Sequence, residues 1–105
     1  MTELISDHGG HESRAFVPTH RAARYAKQLT NHFGHRVDAE WHEPVGTVRF
    51  GEGGVAVLTA EEGGLRMVAT APGSEGLATV ERVVGDHLLK FATQDELRVE
   101  WVRTP

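Results

Sequence analysis

Thr19-His-Arg-Ala-Ala-Arg-Tyr-Ala-Lys-Gln-Leu-Thr-Asn-His-Phe-Gly-His35 decides the fold. Ala22, Tyr25, Ala26, Leu29 and Phe33 recur at three- and four-residue steps, so they share one face of a helix. His20, Arg21, Arg24, Lys27, Gln28 and Asn31 fall mostly on the other face. Pro18-Thr19 opens the helix, since a Thr hydroxyl can accept a hydrogen bond from a free first-turn amide. Gly34 is expected to close it in the left-handed conformation. His32 lies on the border of the apolar stripe. His35 lies just past the end, where a cationic imidazole meets the negative end of the helix dipole.

Outward from this helix, the chain alternates. Met1 to Ser13 reads as a flexible tail, and residues 14–105 as a single domain. The tail carries His8-Gly-Gly-His11, a weak copper, nickel or zinc chelator at most; an unstructured polar tail is the preferred reading. Ser13 to Val17 reads as a short strand. After the helix, Val37, Ala39 and Trp41 alternate with Asp38, Glu40 and His42, as in a strand with one inner face. Glu43-Pro44 breaks it. Val45–Phe50, Val55–Ala60 and Leu65–Thr70 continue the pattern between glycine-rich turns, an antiparallel meander. Ser74 is expected to cap a second helix with the stripe Leu77, Val80, Val84, His87, Leu88 and Phe91. Leu97, Val99 and Trp101 alternate in a final strand. The order, stated as β-α-β-β-β-α-β, gives the expected fold class: an α+β two-layer sandwich, an antiparallel sheet with two helices on one face.

Composition narrows the chemistry. No cysteine is present, which removes disulfides, thiolate metal sites and cysteine nucleophiles and fits a reducing cytoplasm. A formal charge of −4 argues against broad binding to nucleic acid or anionic membranes. No apolar run has membrane-spanning length. Protonating all seven histidines would carry the charge from −4 to +3, so acid sensitivity is expected.

Tyr25-Ala-Lys-Gln-Leu29 followed by His32-Phe-Gly-His35, then Asp86-His-Leu-Leu-Lys-Phe-Ala92 and Glu96-Leu-Arg-Val-Glu-Trp101, resembles a small bacterial family, domain of unknown function 2218. The resemblance runs from about Arg14 to Trp101. It implies no assigned biochemistry. It does imply that some members are joined to, or encoded near, siderophore-interacting flavin reductases, an association with iron or haem handling. The family resemblance also implies that many members carry cysteine where this chain has Thr30.

His32, His35 and His87 are the candidate metal ligands. His32 and His35 are spaced three residues apart across a helix end, and His87 lies on the stripe of the second helix. Side-by-side helices would bring the three imidazoles together, a set suited to zinc, nickel or ferrous iron, or to haem iron through one ring. Asp86 and Glu96 are the carboxylates placed to orient a ring. Trp41 and Trp101 are expected in the core, or lining an apolar pocket beside His87 for a flat ligand such as haem or flavin. The preferred reading makes all three histidines ordinary, partly buried residues.

Other patterns point away from catalysis. Glu61-Glu62 and Asp95-Glu96 fall in expected turns. Ser6, Ser13 and Ser74 lack a nucleophile-elbow context. Gly51-Glu-Gly-Gly54 lacks the Lys-Ser or Lys-Thr of a phosphate loop. Arg21, Arg24, Lys27 and Arg36 read as a solvated basic face. The expectation is therefore a non-enzymatic binding or interaction module, cytoplasmic, monomer or homodimer, accessory to iron or siderophore reduction. The alternative is a histidine-based metal or haem protein with redox or hydrolytic activity.

Overall fold

A computed structural model describes residues 10–93 and 95–104. Six strands and two helices run in the order β1 (His11–Pro18), α1 (Ala22–Phe33), β2 (Asp38–His42), β3 (Val45–Gly51), β4 (Gly54–Glu61), β5 (Gly64–Ala71), α2 (Ser74–Phe91) and β6 (Val102–Arg103). All strands join one antiparallel sheet in the order β2-β3-β4-β5-β1-β6. The α+β class and the antiparallel sheet agree with the sequence. The stated order counted three strands between the helices; the four alternating stretches there each form a strand.

Alternation fixes which face of the sheet is buried. Ala15 and Val17 on β1, Val48 on β3, Leu58 on β4 and Leu65 and Met67 on β5 are all at most 4 % exposed. Their neighbours in sequence point to the opposite, half-exposed face. Leu29 of α1 and Leu77, Val84 and Leu88 of α2 are fully buried against that inner face. Removing so much apolar surface from water is the main term that holds the two layers together. α1 covers the β2–β3–β4 side and α2 the β4–β5–β1 side, and the helices touch each other. Among the described residues, no helix is long and apolar enough to cross a membrane.

One close approach explains why α1 lies where it does. Thr30 is buried and returns its hydroxyl to the Ala26 carbonyl at 2.7 Å. A Cβ built on Gly46 of β3 would sit 1.9 Å from Thr30 Oγ1, so only glycine lets this turn of α1 settle on the sheet.

Several boundaries differ from the sequence reading, each for a physical reason. β1 begins at His11, not Ser13, because β5 is long enough to pair it as far as Ala71. Three residues assigned to the tail are therefore in the sheet; His8 lies outside the described residues. Helix α1 starts at Ala22, and Thr19 Oγ1 accepts from the Arg21 amide at 3.1 Å in the turn before it. Gly34 is right-handed, with φ −63°, and the chain continues turning so that the Val37 amide reaches the Phe33 carbonyl. Gly73, not Ser74, is the N-cap of α2, with no side-chain cap bond.

The expected strand Leu97–Trp101 lies outside the sheet ladder, and pairing is confined to Val102 and Arg103 against Arg14 and Ser13. Its alternation has another origin. Val99 and Trp101 lie against α2 at Gly85, where a Cβ would fall 3.6 Å from Val99 Cγ1 and 3.5 Å from Trp101 Nε1. Packing on a helix, rather than a strand partner, sets the period.

Candidate functional site at the histidine cleft

His32 ends the stripe of α1 and His87 faces it from α2. Because both helices lie on the same layer, their imidazole centroids come within 5.0 Å, tilted by 39°. Phe33 packs edge-on to both His87, at 5.1 Å, and Phe50 of β3, at 5.2 Å. Phe91 closes on His32 from the other side at 5.2 Å. An open cleft of about 490 Å³ lies over this group. His32, Phe33, His35 and Arg36 line it from α1 and the turn after it, with Val37. Phe50, Val83 and His87 complete the wall.

The three candidate histidines thus line one cleft. They are not gathered into a ligand shell: among the described residues, no group of three His or carboxylate side chains is close enough to hold a metal ion. His87 is oriented by its own helix. Its Nδ1 lies 2.7 Å from the Val83 carbonyl, so that nitrogen carries a proton and donates, which fixes the ring's orientation. The His32 side chain is exposed, but the rings against one side of it displace water and lower its pKa, and the neighbouring His87, His35, Arg36 and Lys90 act in the same direction.

The expected helpers are elsewhere. Asp86 lines a separate groove on the far side of α2 with Leu89, Val99 and Trp101. Glu96 lines a depression beside Pro18 and His20. Trp41 packs against Gly46 under α1. Neither tryptophan lines the histidine cleft, whose flat walls are phenylalanines instead. Position 30 faces Gly46 in the core and does not line the cleft. Glu61, expected in a solvated turn, pairs with Arg66 at 3.2 Å.

Two features were missed. Arg36 belongs to the cleft, not only to a solvated basic face; its place directly after His35 was the available signal. Asp95 is not a free turn carboxylate either. It takes two bonds from Arg21 Nη1, at 2.7 and 2.9 Å, and one from the Tyr25 hydroxyl. The Tyr25 bond, then the Arg21 bond, lower the Asp95 pKa and pin the segment after α2 to the start of α1. Tyr25 and Asp95 are 70 residues apart, so no local pattern could show it.

Comparison with known proteins gives the chain a family but assigns no site. A search of curated proteins found no match. The chain is similar to PA4090 from Pseudomonas aeruginosa, solved by NMR, with 32 % identity over 87 % of this chain and 94 % of that one, and a TM-score of 0.74. The model of domain of unknown function 2218, described as an uncharacterized protein conserved in bacteria, matches residues 14–102, and the chain belongs to that family.

Proposed function

We propose that this protein is a non-enzymatic binding module, with residues 14–105 as one domain, whose ligand seat is the cleft between the C-terminal halves of α1 and α2. The observation that carries this reading is the cleft itself. Its volume, about 490 Å³, is that of a small-molecule site, and flat rings wall it beside convergent polar groups. The family's implied association with siderophore-interacting flavin reductases supplies the first ligands to try and the first partner, a cytoplasmic reductase that the module would serve. Titrating the ¹⁵N-labelled chain with a ferric siderophore, haem and a flavin tests it. Binding should move the amides of Phe33, Val37, Phe50, Val83 and His87. Shifts confined to other surfaces, or none, would contradict it.

The approach of the His32 and His87 rings to 5.0 Å favours a second reading, a two-imidazole seat for zinc, nickel or ferrous iron. His35 would be the third ligand after a movement of its turn. Titration with each metal should broaden or shift the ring resonances of His32 and His87 together. Unmoved rings would remove this reading.

A further inference from the structure

The charge inventory of the cleft names a class of ligand. The whole chain carries a formal charge of −4, yet none of the residues lining the cleft is acidic. Half of them are basic side chains: His32, His35, Arg36 and His87. Among the described residues Arg36 has no carboxylate partner; Arg24 and Arg82 have none either but lie outside the cleft, whereas Arg21, Arg49, Arg66 and Arg103 each have one. Lys90, one turn beyond His87 on α2, adds a further positive charge felt at His32. The walls between these charges are the rings of Phe33 and Phe50, set edge to face.

We infer that the cleft binds a small aromatic anion, its ring against Phe33 and Phe50 and its acid group toward Arg36, Lys90 and the imidazoles. This rests on the binding-module reading and specifies its ligand. A guanidinium offers paired donors to a carboxylate or sulfonate. Opposed charge selects an anion over its neutral analogue.

Benzenesulfonate and neutral benzenesulfonamide, titrated into the full chain and followed by NMR, test the inference. The sulfonate is ionised at pH 7, where it should bind about five- to tenfold more tightly than the sulfonamide. Arg36→Gln and Lys90→Gln change exposed side chains, and each should reduce the preference. Equal binding of both probes at the cleft, or a preference unchanged in both variants, would overturn the choice of ligand class and leave the cleft standing as a binding site. Shifts for neither probe at His32, Phe33, Phe50 and His87 would overturn both the class and the site.

Discussion

His32 and His87, 55 positions apart in the chain, face each other across the two helices with ring centroids 5.0 Å apart. Replacing His87 by glutamine removes one of the electrostatic contributions that hold the His32 pKa down, while desolvation by the adjoining rings, the larger cause, remains. His32 should then titrate at a higher pH, still below the ordinary imidazole value of about 6.5. Ring-proton shifts against pH measure it. A lower or unchanged His32 value would separate the two residues electrostatically.

Gly46 and Thr30 give the sharpest test of packing. Gly46→Ala drives a methyl into Thr30 Oγ1, which lies 1.9 Å from its ideal position, and crowds Trp41 at 3.3 Å. Overpacking of this kind destabilises by about 1–3 kcal/mol. Adding Thr30→Ala removes the clashing oxygen and should recover part of the loss, so the two changes are non-additive in urea unfolding. Strict additivity would mean that α1 does not rest on this glycine.

Thr30→Cys restores the residue that the family resemblance expects. The side chain is 1 % exposed and lies against β3, away from the cleft. The thiol should resist modifying reagents in the folded protein and react once denaturant opens it, with ligand binding unchanged. Rapid labelling under native conditions would contradict that placement.

Glu81 and Asp95, outside the cleft, are expected to contribute to acid sensitivity, as is Glu40 beside Arg49. The Arg103 guanidinium, at 3.0 and 3.1 Å, lowers the Glu81 pKa, and Tyr25 and Arg21 lower that of Asp95. A depressed folded pKa means stability that is complete above the unfolded carboxylate value and lost as pH falls through the folded one. Glu81→Gln should cost about 1 kcal/mol at pH 7, discounted for the exposure of Arg103. Thermal melts from pH 7 to pH 2.5 should show the difference between wild type and either Glu81→Gln or Asp95→Asn shrinking below about pH 4. A gap that persists at the acid end would show that neither ion pair is the cause.

How much was legible follows from how local each cause is. The stripe Ala22–Tyr25–Leu29–Phe33 and the alternation of β3, β4 and β5 are set within a few residues, and they gave the layers and the meeting of His32 with His87. The segment Leu97–Trp101 misled because packing against Gly85 of α2 produces the same period as a ladder. The Arg21–Tyr25–Asp95 latch and the exile of Asp86 and Trp101 to the far side of α2 depend on helix rotation and on distant contacts. Sequence spacing does not encode either. Arg36 was visible as a charge but not as a wall, since its direction depends on the turn that continues past Gly34.

The seat between α1 and α2 is tested most directly by isotope-filtered NOE spectra of the labelled protein with saturating benzenesulfonate. Contacts from the ligand's ring protons to His32, Phe33, Phe50 and His87 are the predicted result. Contacts to Val99 and Trp101 in the groove behind α2 instead, or none to any residue, would contradict it.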